Sequence, residues 1–120
     1  MELDVFANWI LHQEINTPKE IAQILRSDEQ VHKSYKTVRD VASFTNKRLI
    51  VIDSQGLTGR KKEIYSLPYK SIHMWSTENA GTLDSTSEVQ LWTRVGVVKI
   101  NLGRKVNVRE FDLLLQEVCL

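Results

Sequence analysis

The sequence predicts a mainly β domain in which seven short antiparallel strands form a two-sheet barrel, capped by a C-terminal helix and preceded by short N-terminal helices. From Glu29 to about Gly103, apolar and polar residues alternate, as in strands that bury one face. The residues before and after this stretch carry apolar side chains at helical spacing. Because 120 residues suit one domain, we expect a helical segment at 1–27 and a barrel at 28–120 within the same domain.

Two short helices are predicted in the N-terminal segment. The first places four apolar residues at helical spacing, at Val5, Phe6, Trp9 and Ile10. The second starts with a capping pattern, because Thr17 can accept from free amides, Pro18 suits the first helical position and Glu20 can complete a capping box. Its apolar stripe consists of Ile21, Ile24 and Leu25.

The first four predicted strands precede Pro68. Tyr35 and Phe44 mark the first two, which are joined by a tight turn near Lys36. The third, RLIVID, has apolar residues on both faces, which predicts a strand that is covered on both sides. The fourth, RKKEIYSLPY, ends at Pro68 because proline cannot donate to a β ladder.

Three further strands and a helix complete the predicted domain. The segment KSIHMWSTE predicts a fifth strand, and NAGTLDSTS is a longer connection. The segment EVQLWTRVGVVKINLG predicts a hairpin that turns near Gly96. In the tail, Asn107 and Glu110 form a capping pair ahead of an apolar helix face made of Phe111, Leu114, Leu115 and Val118.

Composition excludes several classes of protein. Charged residues make up 26% of the chain but the net charge is only +1, so there is no global signature of polyanion binding. Cys119 is the only cysteine, which excludes an internal disulfide framework and a cysteine-based zinc site. No basic region follows Met1, and no apolar run approaches the roughly 18 residues of a membrane span. We therefore expect a cytoplasmic protein without a bound cofactor.

Several short motifs occur in a fixed order between Tyr35 and Trp92. They are a lysine-x-x-arginine-aspartate step that begins at Lys36, then FTNKRL, QGLTGRKK, PYKSI and ENAGTLD. In this order they resemble bacterial pleckstrin-homology-like proteins, with Arg60 standing where lysine is usual. The resemblance implies a pleckstrin-homology-like barrel and homo-oligomers that close into cyclic rings, of about five protomers. It does not point to any particular activity.

The stretch QGLTGRKK combines two glycines with three successive cations, a composition also found in phosphate-binding loops. A P-loop needs glycine, four residues, and then glycine-lysine followed by serine or threonine at a helix start. Here the glycines lie three apart and a strand follows, so we exclude a nucleotide loop. Gly56 and Gly59 are instead expected to allow a tight strand connection. The cations begin the next strand and should point alternately to opposite faces.

Positions 33–62 contain eight lysines and arginines against two aspartates. Eukaryotic pleckstrin-homology domains often hold inositol phosphates with such residues, so the resemblance raises anionic-lipid binding as an alternative. Lys47 and Arg48 are expected at the other end of a hairpin from Arg60, which favours a solvated or interface-lining basic face. The candidate contacts for an anion or a partner are Lys33, Lys36, Arg39, Arg60, Lys61 and Lys62.

No residue pattern indicates catalysis, a metal site or a nucleic-acid site. The carboxylates Asp28 with Glu29, and Asp40 with Asp53, lack a histidine or serine at a recognisable spacing. The three histidines occur singly in different elements, which does not predict a metal site. The three tryptophans are not interleaved with the cations, so packing or a subunit contact is favoured over base stacking. Cys119 is expected to be a small core residue.

The sequence therefore favours a non-enzymatic interaction or scaffold module. We expect a homo-oligomeric ring that presents a polar surface to a protein partner, since a small barrel leaves strand edges open for pairing. The edges expected to pair are the strand carrying Tyr35 and the strand around residues 63–67. The alternative is a membrane-recruitment module that binds anionic lipid through peripheral contact.

Overall fold

The computed structural model describes residues 5–55, 60–79 and 86–120. The strands are β1 (Val5–Leu11), β2 (Gln13–Ile15), β3 (Val31–Lys36), β4 (Val41–Thr45), β5 (Arg48–Gln55), β6 (Lys61–Pro68), β7 (Ile72–Glu78), β8 (Ser87–Thr93) and β9 (Gly96–Leu102). The helices are α1 (Lys19–Ala22) and α2 (Val108–Cys119), and one 3-10 turn, Tyr69–Ser71, separates β6 from β7.

The strands of these ranges form a two-sheet barrel. The first sheet has the order β1-β9-β8-β7, and the second sheet has the order β2-β3-β4-β5-β6. Every neighbouring pair is antiparallel except β1 and β9, which run parallel. Strands β3 to β9 are the seven that the alternating pattern predicts. The β8–β9 hairpin turns at Gly96, whose φ of 141° favours glycine, and α2 follows the last strand as expected.

The prediction of a helix in the first residues is wrong, because this segment forms β1 and β2. Trp9 pairs with Ile100 of β9, and β2 pairs with β3 in the second sheet. Trp9 and Leu11 are buried while Ile10 is exposed, which is a period of two. The apolar residues of this segment are aromatic or mostly β-branched, and such residues favour a pleated, half-buried strand. These apolar residues are so few that their spacing fits the helical period as well as the strand period.

The second predicted helix is present only as one turn. Helix α1 covers Lys19–Ala22, and its cap position is Pro18 rather than Thr17, with no side-chain capping bond. The expected apolar stripe nevertheless has the predicted role, because Ile21 is fully buried against the outer face of the second sheet. Ile24 and Leu25 pack around the same cluster.

Strand β5 is covered on both sides, as the RLIVID pattern predicts. Leu49 and Val51 point into the barrel, whereas Ile50 and Ile52 pack against Ile21 on the outer face. All four β5 side chains are at most 3% exposed. The N-terminal segment therefore contributes strands to both sheets and also covers the outside of the second.

The barrel interior is filled by side chains from both sheets and from α2. Tyr35, Phe44 and Phe111 form an aromatic cluster whose ring centroids lie 5.3 to 6.2 Å apart. At the start of α2, the Asn107 side chain accepts from the backbone N–H groups of Arg109 and Glu110, which confirms Asn107 as the helix cap. The buried face of α2 consists of the predicted Phe111, Leu114 and Leu115. No helix in the described ranges is long and apolar enough to span a membrane.

Four strands lie at sheet edges within the described residues: β1 and β7 in the first sheet, and β2 and β6 in the second. The expectation that the strand carrying Tyr35 is an edge is wrong. That strand is β3, and β2 covers it by pairing Glu14 with Tyr35. The strand around residues 63–67 is β6, which is an edge as expected.

Candidate functional site

Most of the cations predicted to contact an anion or a partner gather at one end of the second sheet. Val41, the first residue of β4, pairs with Lys36 and with Ile52. Ile52 in turn pairs with Ile64 of β6, so the β3–β4 turn and the start of β6 lie at the same end. We call this surface the charged end; it consists of Lys36, Arg39, Asp40, Asp53, Arg60, Lys61, Lys62 and Glu63.

The β3–β4 turn is held by its own side chains. The Thr37 hydroxyl accepts from the backbone N–H of Asp40 at 3.0 Å, and the Thr37 N–H donates to the Asp40 carbonyl at 2.9 Å. The Asp40 Oδ1 accepts from the backbone N–H of Ser54 at 2.8 Å, which ties the turn to β5. Asp40 therefore has a structural role at the charged end, in addition to its charge.

Three carboxylates lie close together at the charged end. Asp53 pairs with Glu63 across β5 and β6. Burial raises the pKa of Asp53, and the neighbouring charges of Asp40 and Glu63 raise it further, whereas Arg39 acts to lower it. The cations of this surface are therefore interleaved with acids. Among the described residues, no group of three or more histidine, cysteine or acidic side chains is arranged to hold a metal ion.

The predicted cations do not converge on one point. Lys62 lies on the outer face and forms an ion pair with Glu20 of α1, with Nζ 2.6 Å from Oε2. Lys33 lies further along β3 and pairs with Glu14 at 3.2 Å. Lys61 follows the strand alternation to the opposite face from Lys62. Lys36, Arg39 and Arg60 are exposed at the same end.

The hairpin of β5 and β6 places two of the basic residues away from the charged end. Arg48 pairs with Pro68 while Lys61 pairs with Gln55, so Lys47 and Arg48 do lie at the opposite end of the hairpin from Arg60. The tight connection expected at Gly56 and Gly59 lies outside the described residues, as does most of the NAGTLDSTS connection.

A second polar cluster, which the sequence reasoning missed, lies at the opposite end of the second sheet. Glu29 is only 6% exposed and accepts from Arg48 Nε at 2.9 Å and from Arg48 Nη2 at 3.0 Å. The Thr45 hydroxyl donates to the same carboxylate at 2.6 Å, and the backbone N–H of Arg26 donates at 3.1 Å. These bonds, with that to Arg48 the strongest, lower the pKa of Glu29 to about 2.

The same cluster joins two of the short motifs, FTNKRL and PYKSI. The Thr45 hydroxyl accepts from the backbone N–H groups of Lys47 and Arg48, which closes the turn between β4 and β5. The Tyr69 hydroxyl lies 2.7 Å from the Thr45 carbonyl oxygen and 2.9 Å from that of Arg48. Burial raises the pKa of Tyr69, which keeps the hydroxyl protonated as a donor. These motifs therefore specify a structural turn.

Trp9, Trp75 and Cys119 take the packing roles predicted for them. Trp9 packs in the core and meets Tyr65 edge to face, with centroids 5.6 Å apart. Trp75 packs against the same core, and its indole Nε1 donates to Asp112 of α2 at 2.9 Å. Cys119 also packs on this core, and burial raises the pKa of its thiol, which disfavours the nucleophilic thiolate.

Comparison with known families agrees with this architecture. The family model for the bacterial PH domain matches residues 2–119. The uncharacterized protein YjqA of Bacillus subtilis strain 168 is 39% identical over 105 residues, which cover 85% of this chain and 84% of that protein.

Two solved structures give the same comparison at the level of the fold. One is a DUF1696 family protein with a pleckstrin-homology domain from Shewanella loihica PV-4, at a TM-score of 0.83 and 34% identity; the match covers 90% of this chain and 97% of that one. The other is a pleckstrin homology domain from Shewanella amazonensis SB2B, at a TM-score of 0.69 and 38% identity, covering 84% and 83%.

Proposed function

This chain belongs to the bacterial PH domain family, and on that premise we propose that it is a non-enzymatic module that forms a homo-oligomeric ring and presents a polar surface to a protein partner. The observation that carries the proposal is the mixed composition of the charged end. The charges of Arg39, Asp40 and Glu63 all act on Asp53, and Lys62 is already paired with Glu20.

A mixed surface of this kind suits a protein better than a phosphate group. A phosphate is held best by several cations that converge without competing carboxylates, and the electrostatic field of three acids opposes an anion. A protein surface carries charges of both signs, so a mixed patch can match it and reject wrong partners. We therefore place the partner-binding surface at the charged end.

The ring is proposed to form through strand edges. A contact between two different patches on neighbouring protomers closes into a ring when the rotation allows it. We assign this contact to β6 of one protomer and β1 of the next, because both are edges with an exposed aliphatic residue: Ile64 is 50% exposed and Ile10 is 47% exposed. Val38 of the β3–β4 turn is also exposed and lines the same groove as Ile10.

Anionic-lipid binding is the second candidate, and one observation favours it. Lys36, Arg39 and the start of β6 bring five of the six predicted cations to one end of the sheet. Liposome co-sedimentation separates the two functions. We expect no difference in binding between neutral vesicles and vesicles that contain an anionic lipid. Binding that requires anionic lipid and is abolished by replacing Arg60, Lys61 and Lys62 with alanine would favour the membrane-recruitment function instead.

A further inference from the structure

The free edge of β7 lacks the features that usually protect an edge strand. After a register shift near Ile72, the residues from Met74 to Glu78 pair regularly with β8. No described residue pairs with the other side of β7. Backbone N–H and C=O groups of alternate residues on this side are therefore available for a further strand.

The β6 edge of the second sheet shows the contrast. Strand β6 begins with Lys61 and Lys62 and ends at Pro68, and charge and proline discourage strand pairing at these two ends, which leaves only the middle around Ile64 for the ring contact. Strand β7 contains neither lysine, arginine nor proline. The sequence of β7 thus leaves the edge open where the sequence of β6 protects its two ends.

Helix α2 lies beside the open edge and forms a groove with it. The Trp75 indole donates to Asp112 Oδ1 at 2.9 Å, and Gln116 Nε2 donates to Oδ2 of the same carboxylate at 3.0 Å. The first bond joins the helix to the strand, and the second, which lies within α2, orients the Asp112 carboxylate. The groove has a volume of about 210 Å³ and is lined by Thr77, Glu78, Asn79, Val108 and Arg109.

Two exposed apolar side chains lie beyond the lining of the groove, on the two elements that form it. Met74 is 54% exposed on the face of β7 opposite Trp75, and Leu113 of α2 is exposed four residues after Arg109, on the same helix face. The side chains of an added strand alternate between the two faces of the sheet, so they can reach both. Arg109 is exposed and forms no ion pair with any residue that the structure describes. Its guanidinium suits a carboxylate, while Glu78 in the same groove opposes a run of negative charge.

We propose that the groove between β7 and α2 binds an extended peptide segment of a partner protein, which pairs with β7 as a fifth strand of the first sheet. The peptide carries apolar residues that contact Met74 and Leu113 and one carboxylate that binds Arg109. The backbone pairing supplies affinity, and the alternate side chains supply specificity. This proposal rests on the proposed function only in that the partner is a protein; the surface is separate from the charged end and from the ring contact.

The test begins with a selection of random dodecapeptides displayed on phage against the full chain. The enriched peptide is then synthesised, and its affinity is measured by fluorescence anisotropy. We expect a β-forming sequence with one acidic residue. Its affinity should fall at least about tenfold with Arg109→Glu, which removes the carboxylate contact. Arg94→Glu, at the exposed β8–β9 turn, makes the same charge change away from the groove and should leave the affinity unchanged.

A second form of the peptide tests the backbone pairing directly. Methylation of alternate backbone nitrogens removes the donors that face β7, and we expect it to abolish binding. The proposal is overturned if no peptide is enriched, or if the affinity is indifferent to both Arg109→Glu and N-methylation. Light scattering on the same samples distinguishes the proposed ring from the proposed peptide site. A chain that forms the ring but binds no peptide refutes only the peptide site. If the peptide dissolves the ring, β7 is a contact between copies and the peptide site is refuted.

Discussion

Glu29 and Arg48 form a two-point ion pair between the loop that precedes β3 and the first residue of β5, with donor–acceptor distances of 2.9 and 3.0 Å. The Glu29 side chain has no solvent exposure and that of Arg48 has 23%. The guanidinium also donates to Ser66 of β6 and to the carbonyl of Ile24. One arginine therefore connects the N-terminal segment to two strands of the second sheet.

The first prediction concerns removal of this arginine. Arg48→Ala leaves the Glu29 carboxylate buried without its main partner, and we expect the free energy of unfolding to fall by about 3–5 kcal/mol. Chemical denaturation measures the change. Arg26→Ala removes an exposed pair with Asp28 and should cost less than about 1 kcal/mol. Equal losses for the two variants would show that the buried pair has no special role.

The second prediction concerns pH. The pKa of Glu29 is lowered in the folded protein from 4.5 to about 2, mainly by its bonds to Arg48. The stability that this carboxylate contributes is therefore fully present above about pH 4.5 and is lost as the pH falls towards 2. We expect the midpoint of denaturation to decline more steeply across this range in the original chain than in Glu29→Gln. Parallel declines in the two proteins would contradict the assignment.

The third prediction concerns the Tyr69 hydroxyl, which bridges the carbonyls at the two ends of the β4–β5 turn. Tyr69→Phe removes this donor from both carbonyls, of which that of Arg48 keeps only the Thr45 hydroxyl at 3.1 Å, and should reduce the unfolding free energy by about 1–2 kcal/mol. Ser71→Ala is a suitable control, because its hydroxyl donates to Pro68 at an exposed site. We expect little change in thermal stability for that variant. If the Tyr69→Phe protein is as stable as the original, the turn does not depend on this residue.

The fourth prediction concerns the ring contact. Ile64→Asp introduces a charge at the exposed aliphatic residue of β6, so we expect the oligomer to dissociate at micromolar concentration. Val95→Asp makes a similar change at the exposed β8–β9 turn and should leave the oligomer intact. Size-exclusion chromatography compares the two variants. If Ile64→Asp elutes with the original chain, β6 is not part of the contact.

The features of the fold that the sequence predicts correctly are those encoded by residues that are close together in the chain. The alternation in β3 to β9, the cover on both faces of RLIVID and the Asn107 cap are each encoded within a few neighbouring residues. The parallel pairing of β1 with β9 is not, because the partners Trp9 and Ile100 lie far apart in the chain. The four apolar residues of the N-terminal segment, Val5 to Ile10, are spaced so that they suit a helix as well as a strand.

The charged end and the Glu29–Arg48 cluster also differ in how much of each the sequence predicts. The sequence places the cations of the charged end near one another, but only the pairing of β5 with β6 brings Glu63 beside Asp53. The ion pair of Glu29 with Arg48 joins two different elements through a buried contact, and no spacing motif in the sequence predicts it. Thr45 and Tyr69 lie in two motifs that carry the family resemblance, and the structure shows that these motifs form a turn.

The most direct test of the central claim, a ring-forming module, is the mass of the unmodified chain in solution. Light scattering coupled to size exclusion at micromolar concentration measures it without reference to shape. For protomers of 13.9 kDa, a closed ring of about five copies predicts a single species near 70 kDa. A species of one protomer's mass across the micromolar range would contradict the proposed ring.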